Sequence, residues 1–102
     1  IYFYINSAAE GSVAVSTGQW YHLAVCRSSG TVKMFLNGTQ SATWADTRTY
    51  LNGTGRPYVG GSGFGGGSGD NFNGYIDDLR ITKGYARYTA NFTPSTSAFP
   101  TA

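Results

Sequence analysis

Two apolar runs, Trp20 to Arg27 and Thr31 to Leu36, flank a Ser28-Ser29-Gly30 turn, and the second run ends on Asn37-Gly38. Asn-Gly between apolar runs is the strongest short hairpin signal, because a type I′ turn needs φ > 0 at both central residues. The spacing therefore predicts a return strand over Thr39 to Trp44 and an antiparallel meander of three strands. In the first run Trp20, His22, Ala24 and Cys26 share one face, and Tyr21, Leu23 and Val25 the other. Neither face is polar, which predicts an internal strand covered on both sides. In the second run Val32, Met34 and Leu36 face one way, with Lys33 and Phe35 opposite.

The composition agrees with an all-β chain. Among 102 residues there are 15 glycines, 16% are aromatic and only 12% are charged, against about 25% charged in ordinary domains. Glycine turns joining aromatic strands leave little material for helices, and the length allows a single domain. The net charge of +2 comes from 7 scattered Lys and Arg, which is no electrostatic footprint for nucleic acid. No apolar run is long enough to span a membrane, and no signal peptide is visible. Cys26 is the sole cysteine, so the chain has no internal disulfide, and its apolar strand predicts a buried small hydrophobe.

Further strands are expected at Ile1 to Asn6, Val13 to Ser16, Pro57 to Gly60, Phe72 to Lys83 and Thr89 to Phe92. Turns are expected at Ser7 to Ser12 and Thr17-Gly18, and a single helical turn at Gly84 to Tyr88. Residues 45–56 read as a polar loop. The glycine-dense stretch from Gly61 to Asn71 lacks a Gly-Lys-Ser/Thr and a following helix, so it is no phosphate cradle. Within Phe72 to Lys83 the apolar positions Ile76, Leu79 and Ile81 break strict alternation, predicting a bulge near Asp77-Asp78. Residues 1–93 form the expected domain, and 94–102, with two prolines among small residues, read as an exit linker.

The order of these phrases carries a resemblance. Trp20-x-His22-Leu23-Ala24-Val25, a glycine turn, Met34-Phe35-Leu36-Asn37-Gly38, a glycine-rich stretch and then Gly74-x-Ile76-Asp77-Asp78-Leu79-Arg80-Ile81 resemble the laminin-G-like jelly rolls of the concanavalin A-like lectin/glucanase superfamily. The resemblance runs from about Ile1 to Pro100. It implies an antiparallel β-sandwich. Such domains run to about 150–200 residues, so this sequence corresponds to the C-terminal half of a larger domain, with the other strands expected from the same chain or from neighbouring subunits. The ending from Ile81 to Pro94 is similar to endings found in bacteriophage tail and fibre proteins and in bacterial surface proteins.

The 5 acidic residues do not read as a catalytic pair. Glycoside hydrolysis needs two carboxyls across one cleft, whereas adjacent Asp77 and Asp78 point to opposite faces of a regular strand. His22 has no evident nucleophile or acid partner and reads as structural. No catalytic residue is expected. Asp77 is read as accepting hydrogen bonds at the bulge; the resemblance implies an alternative, a Ca²⁺ site shared with Asp70, since Ca²⁺ takes six to eight oxygens. For ligand binding, sugars take aromatic faces and planar polar groups. Trp44, Asp46, Tyr50, Arg56 and Tyr58 cluster around one loop, and Asp70 and Asn71 close the glycine-rich one.

The expected function is a non-catalytic adhesion or glycan-binding module of a virion or a cell-surface protein. Its partners would be a glycan or host-surface receptor and other subunits, including copies of itself, with no nucleic acid and no membrane. The alternative is a purely structural subunit-interaction module.

Overall fold

A computed structural model describes residues 1–5, 8–50, 58–61 and 71–100. It divides into two compact units, residues 1–47 with 81–102 and residues 48–80. Every regular element among the described residues is a β-strand: β1 (Tyr2–Ile5), β2 (Ala8–Ser12), β3 (Leu23–Ser28), β4 (Thr31–Leu36) and β5 (Thr39–Ala45). All five belong to the first unit.

The meander forms as the turn residues require. β3, β4 and β5 pair antiparallel in that order. Ser28 lies opposite Thr31 and Leu36 opposite Thr39, so each loop has two residues. Ser29 and Gly30 have φ of 48° and 75°, and Asn37 and Gly38 of 50° and 82°, the double left-handed signature of type I′ turns. Asn37 also ties the hairpin to the chain entering β3. Its amide donates to the His22 carbonyl at 2.8 Å, and its Oδ1 accepts from the His22 amide at 2.9 Å. Asn37→Ala should therefore cost about 2 kcal/mol, one part left-handed strain and one part hydrogen bond. Asn37→Gly, which relieves the strain, should cost about half of that in urea denaturation.

β4 is buried from both sides. Val32 and Met34 point to one face and Phe35 to the other, and all three are buried. Opposite Met34–Phe35, β5 carries one extra residue, Ser41, whose hydroxyl donates to the Met34 carbonyl at 3.1 Å. That bulge accommodates the extra residue between Ala42 and Gln40. On the Val32–Met34 face, Trp44 sits opposite Val32 and its ring lies 5.6 Å from that of Phe3. On the Phe35 face the cover is the segment 88–99. The Phe92 ring lies 5.4 Å from Phe35, Tyr88 stacks on Phe92 at 3.5 Å, and His22 meets Tyr88, Phe92 and Phe99 edge-on. The segment is pinned by the Phe92 amide on the Gly38 carbonyl at 2.9 Å and by the Gln40 amide on Asn91 Oδ1 at 2.9 Å.

Several expectations are corrected. The turn expected at Ser7 to Ser12 is largely β2, and Val13 to Ser16 is not a strand. Instead β2 pairs with β1 through a register shift at Phe3/Tyr4. The Gly11 backbone lies so close to Trp44 that a Cβ there would sit 2.5 Å from its ring. Small residues with little strand propensity are thus recruited by tertiary packing. Trp20 to Tyr21 precede β3, which begins at Leu23. Phe72 to Lys83, Tyr58 to Gly60 and Thr89 to Phe92 carry no strand, and Gly84 to Tyr88 no helical turn. A strand needs a ladder partner, and among the described residues none pairs with 72–83. The bulge expected at Asp77-Asp78 therefore has no ladder to interrupt; Asp78 instead has φ 52°, a value that Asp tolerates better than most residues. Pro57 lies outside the described residues.

Candidate functional site

The residues that sequence groups around one loop are divided between the two units. Trp44 and Asp46 belong to the first unit. The Trp44 ring packs on Phe3 and Gly11, and its Nε1 is buried without a hydrogen-bond partner among the described residues. Asp46 is buried, and its amide donates to the Gly30 carbonyl at 2.8 Å. It closes the Ser29-Gly30 end of the meander. Tyr50, Tyr58 and Asn71 belong to the second unit and are exposed. Arg56 and Asp70 lie outside the described residues, and so does any pairing of Asp70 with Asp77.

Within the second unit, residues 58–61 run beside 71–76. The Phe72 amide donates to the Gly60 carbonyl at 2.8 Å. Gly60 has φ 75°, and a Cβ on it would stand 2.8 Å from Ile76 Cδ1. A Cβ on Gly61 would stand 3.2 Å from Asn71 Oδ1. Glycine at these positions lets the two segments approach. The result keeps Tyr58 62% and Tyr75 86% exposed, with Phe72, Val59 and the Asn71 amide also at the surface. Such a concentration of exposed aromatic surface marks an interaction site more often than chance. Sequence alone does not single out Tyr75 and Phe72, because an apolar, aromatic run reads as strand. Only the missing ladder shows that their rings are uncovered.

The described acids are accounted for unit by unit. Asp77 Oδ1 accepts from the Asp78 amide at 2.8 Å, a local turn contact, and Glu10 stands on β2. Among the described residues no three His, Cys, Asp or Glu side chains come together as a metal site. His22 is held by Asn37 through its backbone and by aromatic rings around its imidazole, and its Nδ1 is buried without a hydrogen-bond partner among the described residues. It is a packing residue. No helix among the described residues is long and apolar enough to cross a membrane.

Residues 2–87 match the laminin-G family model described as the Concanavalin A-like lectin/glucanases superfamily. The chain belongs to that superfamily. The all-strand, antiparallel architecture accords with it. Among solved structures, this concanavalin A-like chain is similar to an S-layer domain-containing protein (residues 221–444) from Clostridium thermocellum ATCC 27405. The two share 26% identity with a TM-score of 0.54, over 84% of this chain and 40% of that one. The chain thus spans less than half the length of that neighbour. None of the curated proteins compared matches it.

Proposed function

We propose that this domain is a non-catalytic adhesion module of a cell-surface or virion protein, holding glycans on the exposed aromatic surface of residues 58–61 and 71–76. The observation that carries the reading is the exposure of Tyr58 and Tyr75 on two segments that meet at Gly60 and Gly61, with Asn71 exposed on one of them. A tyrosine ring offers a flat apolar face to the C–H side of a sugar, and a planar amide satisfies its hydroxyls. The superfamily includes lectin-like members, and the S-layer neighbour favours an extracellular setting. A bacteriophage tail or fibre is one such setting.

Glycan-array binding tests this. Tyr75→Ala and Tyr58→Ala should each weaken binding of the best glycan about tenfold, the worth of about 1–1.5 kcal/mol of aromatic contact. An array without hits, or hits that both variants leave intact, would sink the reading.

A second reading, a structural module within an assembly, is favoured by a separate observation in the first unit. Trp20 is 67% and Ile81 77% exposed. These are apolar side chains that further strands of a larger sandwich, or a neighbouring subunit, would cover. Under that reading Tyr58 and Tyr75 serve subunit contact, and their replacement changes self-association in light scattering and not glycan binding.

A further inference from the structure

Among the described residues, the Phe35 face of the meander is covered at its Asn37-Gly38 end. Toward the Ser29-Gly30 end the cover stops at Tyr88 and Thr89, and a groove of about 350 Å³ remains. It is lined by Cys26, Ser28, Thr31, Lys33, Tyr88 and Thr89. The register explains why these residues meet. Cys26 lies opposite Lys33 and Ser28 opposite Thr31, so all four side chains emerge on one face of the sheet. Three of the four are small, and that leaves the space.

We propose that this groove binds one carboxylate-bearing sugar unit, a uronic acid in chemical class. The volume lies at the lower end of the range for small-molecule sites and suits one ring. Lys33 supplies the charge. Its ammonium donates to the Thr89 carbonyl at 2.7 Å, which holds the head group at the groove and uses one of three donors. No acid is among the described residues that line the groove, which leaves the ammonium as the charge it presents. One point-charge cation matches a monoanion; the bidentate Arg fork that favours phosphate geometry is not among the described lining residues. The hydroxyls of Ser28, Thr31 and Thr89 can both donate and accept, as sugar hydroxyls require, and Cys26 and the Tyr88 ring give the apolar wall.

This site lies in the first unit and is independent of the aromatic surface in the second, so its failure leaves that reading standing. Cys26 makes the test direct, because it is the single cysteine of the chain. Alkylation by iodoacetamide is followed by mass, with glucuronic acid, glucose or inorganic phosphate present, beside amide shifts of Ser28, Thr31 and Thr89. Glucuronic acid should slow alkylation and move these amides, with glucose about tenfold weaker for want of the charge-assisted bond. Lys33→Met, which keeps the stem, should bring glucuronic acid down to the level of glucose, and Lys33→Arg should retain the preference. Equal effects of glucose and glucuronic acid, equal effects of phosphate, or no effect of any on thiol or amides would each overturn the proposal.

Discussion

Replacing Phe35 with alanine should remove about 3–5 kcal/mol of stability, the largest loss expected from any single core truncation here. Phe35 is 0% exposed, and its ring lies 5.4 Å from Phe92 and 6.4 Å from Tyr88, edge-on to both. Its removal loses the transfer free energy of a phenyl group and leaves a hole that the hydrogen-bonded sheet cannot collapse to fill. It also strands the Tyr88–Phe92 stack, which would lose its base. The denaturation midpoint should fall with little change in slope, as for a loss of stability alone. Phe35→Leu, which keeps most of the volume, should cost markedly less. A Phe35→Ala cost below about 1 kcal/mol would mean that segment 88–99 does not cover this face in solution.

Gly38→Ala comes next, for a different reason. Gly38 has φ 82°, and a Cβ there would fall on the Phe92 carbonyl. Alanine costs about 1–2 kcal/mol in the left-handed backbone. It also pushes away the carbonyl of the residue whose amide bonds to Gly38, losing about 1 kcal/mol more and loosening aromatic contacts worth about 0.5–1.5 kcal/mol. The sum is about 3–4 kcal/mol. Gly18 provides the control: its φ is 83°, and a Cβ on it would meet nothing within 4 Å. Gly18→Ala should show the backbone penalty alone. Hydrogen exchange at the Phe92 amide separates the two, rising in Gly38→Ala and staying put in Gly18→Ala. Equal costs for both variants would refute the docking of residue 92 on the turn.

What can be read from sequence follows the range of the forces involved. The meander is legible because Ser29-Gly30 and Asn37-Gly38 are local instructions that hold wherever the chain goes. The facing of Cys26 and Lys33 against Val32 and Met34 follows from period-two alternation. Ala8 to Ser12 is not legible, because those residues form a strand through what β1 and Trp44 do to them. Trp44 misleads for the same reason: it stands beside a polar loop in sequence, but its register opposite Val32 turns it onto Phe3. Phe72 to Lys83 has the letters of a strand, yet pairing is a property of two segments, and letters describe one. Of the candidate ligand residues, Tyr58 and Asn71 stand exposed together in one unit, whereas Asp46 is buried in a turn closure. The groove at Lys33 leaves no mark in the sequence because its residues are ordinary one by one.

The cover over Phe35 comes from residue 92 and the tether on Lys33 from Thr89, 56 positions downstream. The two hairpin turns of the meander close within a few residues and can form in microseconds, well ahead of ribosomal addition of those later residues. During that interval one face of the sheet is finished and the other stands bare. Emergence of Tyr88 to Phe92 is thus the event that shields Phe35 from neighbouring chains during synthesis, and the hazard of premature aggregation is concentrated in the time it takes the ribosome to reach it.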